Sequence, residues 1–164
     1  MNSLYNISIQ LYVIAIRFAA LFNAKAKLWT KGRKAIFQKI EEVTKGERNI
    51  VWFHCASLGE FEQGKPIIEG YKQKYPSHKI LLTFFSPSGF EIRKKTPLAD
   101  FVSYLPADTK SNAKKFISIV KPIKVIFIKY EFWFNYMAEL KKQNISFYSV
   151  SAIFRAEQAF FKYK

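Results

Sequence analysis

Residues 49–60 read NIVWFHCASLGE, and this stretch decides the fold. Its first eight residues form a short apolar run, which predicts a strand that is buried on both faces. A polar turn follows, and a helix is predicted from Glu60 to Tyr75. A strand that ends in a turn and leads directly into a helix is the repeating unit of α/β domains.

The same unit recurs along the rest of the chain. Further strands are predicted at Lys79–Phe85, Phe101–Leu105, Lys124–Tyr130 and Ile145–Ala152, and further helices at Gly89–Lys95, Ser111–Val120 (with Ser111 as N-cap) and Phe132–Gln143. Strands that alternate with helices in this way predict a parallel sheet with helices on both faces, a Rossmann-like α/β fold. Ligands of such sheets bind in the loops at the carboxyl ends of the strands.

The composition is consistent with one folded domain, and its charge favours an anionic partner. The chain has 164 residues, of which 49% are apolar, enough for one hydrophobic core. Lys and Arg outnumber Asp and Glu by 27 to 12, giving a formal charge of +15. This excess favours nucleic acid, acidic lipid headgroups or a phosphorylated substrate, although a basic surface also serves solubility. The lone Cys55 lies in an apolar run and is interpreted as a core residue.

An apolar helix is predicted at the N-terminus, from Leu4 to Phe22. Its apolar residues recur at helical spacing, whereas Asn6, Gln10 and Arg17 form a narrow polar stripe. Because Arg17 and the stripe make crossing a bilayer costly, a helix that lies in the membrane interface fits the pattern better. A basic cluster follows, which an anionic cytoplasmic leaflet would attract. Its members are Lys25, Lys27, Lys31, Arg33 and Lys34.

The chain is therefore divided into two parts. Residues 1–34 are predicted to be a membrane-associated apolar helix with its basic flank, and residues 48–164 a Rossmann-like domain. The alternative for the first part is a helix that packs on the globular domain and never contacts a membrane.

The loop after the first strand offers a carboxylate. Neither G-x-G-x-x-G nor G-x-x-x-x-G-K-[ST] occurs, so dinucleotide and P-loop chemistry are not supported. Gly59 permits a tight turn and close approach of a ligand, and Glu60 follows it in the first turn of a helix. The helix dipole favours an ionised Glu60, as a general base requires, but acidic residues also occur in first turns for stability alone.

Two further loops carry polar groups. Ser86, Ser88 and Gly89 offer hydroxyls and backbone N–H groups at a helix start, which suit an anion but are also typical of an ordinary turn. Glu131 follows the fourth strand amid aromatic residues, and two carboxylates from different loops can together hold and deprotonate a hydroxyl. His54 has no neighbours at metal-ligand spacing and is interpreted as a satisfied buried histidine.

In combination, these loops resemble those of the bacterial 3-deoxy-D-manno-octulosonic acid (Kdo) transferases. Residues 52–60 are similar to the family signature W-x-H-x-x-S-x-G-E. Four more blocks follow in the family's order: Pro66–Ile68 for P-L-I, Thr83–Gly89 for T-x-x-[ST]-P-[ST]-G, Tyr104–Asp108 for Y-L-P-x-D and Glu131–Trp133 for E-[LF]-W. Two positions depart from the family: Phe134 stands where proline is usual, and Arg155 lies near, but out of register with, the arginine of N-A-R.

The resemblance implies the N-terminal, acceptor-binding half of a GT-B glycosyltransferase. The implied reaction is inverting transfer of Kdo from CMP-Kdo to a lipid A precursor, in lipopolysaccharide synthesis, at the cytoplasmic face of the inner membrane among its anionic lipids. Glu60 is the implied base. The candidate substrate-binding residues are Ser57, Gly59, Ser86, Ser88, Gly89, Glu131 and Arg155. No metal and no cofactor beyond the donor substrate are expected.

Three expectations complete the sequence-based picture. CMP-Kdo would bind mainly to a C-terminal domain that this chain lacks, so we expect the chain alone to be inactive. A membrane-anchored module that binds the acceptor without catalysis is the alternative function. A nucleic-acid-binding Rossmann-like domain would need aromatic residues along a basic groove, and nothing in the motifs favours it.

Overall fold

A computed structural model of the chain describes residues 2–129 and 131–152. Three helices come first: α1 (Asn2–Ala19), α2 (Ala24–Gly32) and α3 (Ile36–Thr44). Strands and helices then alternate: β1 (Ile50–Cys55), α4 (Leu58–Lys74), β2 (Lys79–Phe84), α5 (Pro87–Arg93), β3 (Phe101–Tyr104), α6 (Lys110–Val120), β4 (Lys124–Ile128), α7 (Phe134–Lys142) and β5 (Ser146–Val150). Every strand and helix predicted after residue 48 is present, with ends that differ from the prediction by at most two residues.

All five strands lie parallel in one sheet, in the order β3-β2-β1-β4-β5. The central strand β1 pairs with β2 on one side and with β4 on the other, so that His54 lies opposite Thr83 and Phe127. The chain builds the sheet outward from β1 in one direction and then returns to build it in the other. β1 and β4 therefore form the topological switch point, where sheets of this class bind ligands. The predicted α/β, Rossmann-like fold is confirmed.

Helices cover both faces of the sheet, as predicted. One face packs against α3, α6 and α7, and the other packs against α4. Along β1 the side chains enter the two cores in turn: Trp52 lies in the first core and Phe53 in the second, both fully buried. Cys55 is buried in the second core, which confirms its interpretation as a core residue.

α1 turns its apolar side away from the domain. Five large apolar residues along it are more than half exposed: Leu4, Ile7, Leu11, Ile14 and Phe18. The side that faces the protein is mixed. Ile9, Val13 and Ile16 are partly buried there, whereas Gln10 and Arg17 of the predicted polar stripe are exposed. On the same side the Tyr5 hydroxyl donates to Asp108 Oδ2 at 2.6 Å and the Asn135 amide donates to Asn6 Oδ1 at 3.0 Å.

A sharp turn separates α1 from α2. The cap residue Asn23 accepts a hydrogen bond from Ala26 N at 3.1 Å, and the turn places the Trp29 ring 6.4 Å from the Tyr12 ring of α1. No single helix of the described chain has the length and hydropathy needed to cross a membrane. Residues 3–19 and 24–32 meet that criterion only as a pair, and the two helices are bent by 119°.

Arg33 corrects the predicted basic cluster. Its guanidinium is largely buried and donates to the carbonyls of Phe85 and Leu105 at 2.8 and 2.9 Å, so it does not belong to an exposed basic flank. Burial lowers its pKa to about 9, although nearby tyrosines oppose the effect. The sequence could not show that Arg33, unlike the neighbouring lysines, is buried, because these two carbonyl acceptors lie more than 50 residues away along the chain.

Two local details also differ from the prediction. Thr109, not Ser111, caps α6, and its Oγ1 accepts a hydrogen bond from Asn112 N at 3.2 Å. Thr109 and Ser111 both match the residue preference of an N-cap, so the sequence does not distinguish them and the predicted cap was wrong. The helices α2 and α3 are absent from the prediction, and α3 lies between the two predicted parts of the chain.

Candidate active site

The switch point of the sheet carries a carboxylate on each side. Glu60 lies in the first turn of α4, directly after β1, and Glu131 follows β4. The carboxylate of Glu60 accepts a hydrogen bond from Ser57 N at 2.8 Å and another from the Ser57 hydroxyl. Ser57 is the N-cap of α4, and this capping box fixes the Glu60 carboxylate at the carboxyl edge of the sheet.

Glu131 is enclosed beside Glu60, with 21% of its side chain exposed. Burial, helped by the negative charge of Glu60, raises the pKa of Glu131 to about 7, although a hydrogen bond from Trp133 opposes the rise. The two carboxylates therefore belong to one site, in which like charges act on each other. This rise favours the protonated form of Glu131 at a higher pH than for an exposed glutamate.

His54 supports this site from the end of β1. Its Nδ1 lies 2.9 Å from Thr83 Oγ1, and the indole N–H of Trp133 donates to its Nε2 at 3.2 Å. Because an indole nitrogen can only donate, Nε2 is the acceptor and Nδ1 carries the proton. Burial lowers the pKa of His54 to about 3, so its 3.9 Å contact with Glu131 is not an ion pair. The interpretation of His54 as a satisfied buried histidine is confirmed.

Aromatic rings connect the carboxylates with α1. Trp133, which binds His54, lies 4.7 Å from the Phe85 ring, measured between ring centroids. Phe85 in turn stacks on Tyr12 of α1 at 6.1 Å and contacts Trp29 of α2 at 5.8 Å. A continuous aromatic surface of this kind suits the face of a sugar ring or an acyl chain.

Gly59 lies open at the edge of the site. A Cβ atom added to it would meet only Ser57 Oγ, at 3.8 Å, and its φ is not positive. The backbone at Gly59 does not require a glycine, because an ordinary residue would fit it. Close approach of a ligand to the backbone is the remaining reason for a glycine here.

The residues of the second predicted loop differ in their roles. Ser86 caps the short helix α5, and its hydroxyl lies 2.9 Å from the exposed Ser88 hydroxyl. Gly89 is buried, and a Cβ there would lie 2.3 Å from the Phe84 ring, so packing of α5 on β2 accounts for this glycine. Arg155 lies outside the described residues. Ligand binding by Ser86, Ser88, Gly89 and Arg155 remains a prediction.

Asp108 is a site residue that sequence reasoning missed. It is buried, its Oδ2 accepts a hydrogen bond from Asn135 N and its Oδ1 one from Tyr136 N, both at 3.0 Å. Asp108 thereby caps α7 and holds the segment that carries Glu131, and it also binds Tyr5 of α1. The only feature of the sequence that pointed to Asp108 is its position at the end of the Y-L-P-x-D block. Within the described residues, no three His, Cys, Asp or Glu side chains cluster as a metal site requires.

A Rossmann-like sheet with two carboxylates at its switch point defines a domain equipped for acid–base chemistry on a bound ligand. A family model described as 3-Deoxy-D-manno-octulosonic-acid transferase (kdotransferase) matches residues 29–163. Since that match covers most of the 164 residues, the chain belongs to the Kdo transferase family.

Individual relatives agree with the family match. The chain is 37% identical over 101 residues to the 3-deoxy-D-manno-octulosonic acid transferase of Aquifex aeolicus, an alignment that covers 61% of this chain and 27% of the relative. It is 34% identical over 111 residues to the Haemophilus influenzae enzyme, covering 66% and 26%. For Chlamydia pneumoniae the identity is 30% over 99 residues, covering 59% and 23%. The chain thus spans about a quarter of the length of these curated relatives.

Proposed function

We propose that this chain is the acceptor-binding part of an inverting Kdo transferase, with Glu60 as its general base. The paired carboxylates at the β1–β4 switch point carry the proposal. Glu60 is fixed in orientation by Ser57, and Glu131 is close enough to Glu60 for the charge of one to raise the pKa of the other. The activity itself is taken from the names of the relatives, which are Kdo transferases.

In the proposed reaction, Glu60 takes the proton from a primary hydroxyl of a lipid A precursor. The oxygen left behind attacks the anomeric carbon of Kdo, the bond from that carbon to the phosphate oxygen breaks, and CMP leaves with the electron pair. Attack on the face opposite to CMP inverts the configuration. Glu131 hydrogen-bonds the same hydroxyl and keeps it oriented, and CMP-Kdo binds mainly to a further domain.

The exposed side of α1 supports a membrane location. Large apolar side chains point outward along this helix, and the exposed Lys25, Lys27 and Lys31 follow it. An apolar side next to basic residues favours the interface of an anionic leaflet, here the cytoplasmic face of the inner membrane. The aromatic surface that begins at Tyr12 then leads from the membrane helix to Glu131, as a lipid acceptor requires.

Glu60→Gln tests the proposed base. The assay is transfer from CMP-Kdo to a lipid A precursor, in an enzyme that joins this chain to a donor-binding domain, such as a chimera with the C-terminal part of the Aquifex aeolicus relative. We expect kcat to fall by about 10² or more, because general-base catalysis contributes on that order. The amide retains an oxygen that can accept the Ser57 hydrogen bond, so the helix cap should persist.

Glu62→Gln is the matched control. Glu62 lies two residues further along α4, is exposed and pairs with Arg93, so its loss should change kcat by no more than a factor of about two. If Glu60→Gln also retains transfer within a factor of a few, Glu60 is not the base.

A membrane-anchored module that binds acceptor without catalysis is the second candidate. The capping box favours it, because a glutamate at this helix position already has a structural role. Acceptor binding by the chain, together with full transfer by the Glu60→Gln enzyme, would support the module. Loss of transfer with acceptor binding retained would support the enzyme.

A further inference from the structure

A second cleft lies apart from the carboxylates. It has a volume of about 990 Å³ and is formed by α1, α2, the start of α3, and the loop after β3 with the first half of α6. Five basic residues line it: Arg17, Lys31, Arg33, Lys34 and Lys115. No acidic residue lines the cleft among the part of the chain that the structure describes. Asp108 lies between two lining residues, but its carboxylate is used by Tyr5 and the α7 backbone.

The cations of this cleft have no carboxylate partners. None of the five takes part in an ion pair within residues 2–129 and 131–152, and Lys115 instead lies over the Phe37 ring at 4.8 Å. Arg33 binds only carbonyl oxygens and lies 3.9 Å over the Trp29 ring. Of the five cations only Arg33 is largely buried, and the others are exposed. Because a buried cation without a counter-ion is unfavourable, a bound anion would relieve the cost at Arg33.

Trp29 supplies an unused hydrogen-bond donor at the same place. It lines the cleft with 6% of its surface exposed, and its indole N–H has no acceptor in the described chain. A buried donor without an acceptor is unfavourable, so such a group is rare unless a ligand or water accepts its hydrogen bond. Cations and an orphan donor together describe a site for an anionic oxygen ligand.

The cleft also opens onto the apolar side of α1. Ile14 lines it and is 61% exposed on the outward side of the helix, and Val13 lines it from the same turn. The rings of Trp29, Phe85 and Trp133 stand between this cleft and Glu131. A ligand here therefore combines an anionic head with an apolar chain that follows α1, and neither carboxylate lines its cleft.

We propose that this cleft binds the phosphate headgroup of an anionic glycerophospholipid, with its acyl chains along the exposed side of α1. The lipid is a membrane component and not the acceptor. This inference rests on the proposed placement of α1 at a membrane surface. The proposal goes beyond a general attraction for anionic membranes. It defines one headgroup site, and Lys34 and Lys115 are among the residues that contact the headgroup.

The test is titration of the chain with short-chain dihexanoyl phosphatidylglycerol, below the concentration at which it forms micelles. Binding is followed by the NMR signal of the Trp29 indole N–H, assigned with Trp29→Phe. We expect this signal to move and to saturate. In the double variant Lys34→Gln/Lys115→Gln, Kd should rise by about 30-fold, since each basic residue at an anionic surface contributes roughly fivefold.

The control variant is Lys141→Gln/Lys142→Gln, which removes the same charge from the exposed last turn of α7. Its Kd should stay within a factor of about two. An equal loss in both double variants would overturn the proposal, because it would indicate general attraction rather than a site. Binding of dihexanoyl phosphatidylcholine or inorganic phosphate as tight as that of phosphatidylglycerol would also overturn it.

This experiment is independent of the proposed function. It measures a soluble lipid and needs neither CMP-Kdo nor acceptor. Loss of the lipid site with Glu60-dependent transfer intact would overturn this inference alone, and retention of the lipid site without Glu60-dependent transfer would overturn the proposed base alone.

Discussion

β1 and α1 are both rich in large apolar side chains, but the protein treats them in opposite ways. From Ile50 to Phe53, the residues of β1 are at most 2% exposed. In α1, Leu4 and Phe18 are 75% and 68% exposed. The contacts between α1 and the domain include the Tyr5 hydrogen bond and the Tyr12 ring, and Ile9, Val13 and Ile16 are only partly buried on that side.

The difference shows that apolar content does not by itself indicate where stability comes from. Burial of β1 between two helical layers removes its side chains from water and stabilises the sheet. The outward side of α1 gives the isolated protein no such stabilisation, and α1 is held by partial burial of its other side together with hydrogen bonds and ring contacts at Asp108, Asn135 and Phe85. We therefore expect substitutions in these two regions to have very different costs.

Phe53→Ala should have the largest effect on folding. Phe53 is fully buried and packs edge-on against Tyr71 at 5.5 Å. Truncation leaves a cavity in the core, and we expect the free energy of unfolding to fall by about 3–5 kcal/mol. Urea denaturation followed by circular dichroism measures it. A loss below about 1 kcal/mol would mean that the core under β1 rearranges to fill the space.

Asp108→Ala tests the junction between the two regions. It removes the acceptor of two α7 N–H groups and of the Tyr5 hydroxyl, so the free energy of unfolding should fall by about 2–3 kcal/mol. Tyr5→Phe, which removes only the α1 contact, should cost about 1 kcal/mol. Equal costs in the two variants would show that Asp108 holds α1 but contributes nothing to the placement of α7.

Glu131→Gln should change how stability depends on pH. The folded-state pKa of Glu131 is raised to about 7, so its favourable contribution is complete below the unfolded pKa of 4.5 and is lost as pH rises through about 7. The variant lacks this loss. Relative to the wild-type protein, its free energy of unfolding should therefore increase by about 2 kcal/mol between roughly pH 4 and 8.

Denaturation series at several pH values would show this change. Glu62→Gln provides the control, because the exposed Glu62 carboxylate is largely hydrated. A flat difference between Glu131→Gln and the wild-type protein would mean that water reaches Glu131 freely and that the carboxylate pair is not enclosed.

Leu11→Ser with Phe18→Ser should have the smallest effect on folding. Both residues lie on the outward side of α1, and the free energy of unfolding should change by less than about 0.5 kcal/mol. Sedimentation with vesicles of phosphatidylglycerol should nevertheless fall by at least tenfold, because two large apolar side chains no longer enter the interface. Unchanged sedimentation would show that α1 does not contact the bilayer through this side.

Sequence predicted the α/β part well because its signals are local. The strands β1, β2 and β4 are short apolar runs that end at a turn, whereas the edge strand β5 contains two serines and has no buried residue. The helix α3 also has a local signal, because its buried residues Ile36 and Ile40 are one turn apart, but the prediction does not include this helix. α2 carries a weaker signal, because Trp29 is its single buried apolar residue among lysines.

The missing parts of the site depend on contacts between distant residues. Tyr5 and Asp108 are 103 residues apart, and Trp133 and His54 are 79 residues apart. No local pattern indicates that Trp133 would donate to His54, or that Arg33 would bury its guanidinium against two loop carbonyls. The order of the strands in the sheet brings these residues together, and no local sequence pattern gives that order.

That strand order also sets a sequence of events during synthesis. β1 meets β2 after roughly 30 further residues but needs roughly 75 to reach β4, so its second edge stays unpaired for about 45 residues longer than its first. At about 5–20 residues per second, α1 is finished several seconds before β4 exists. The apolar side of α1 is thus complete and exposed while β4 is still to be translated, and under the proposed membrane placement it is available to a bilayer before the sheet closes.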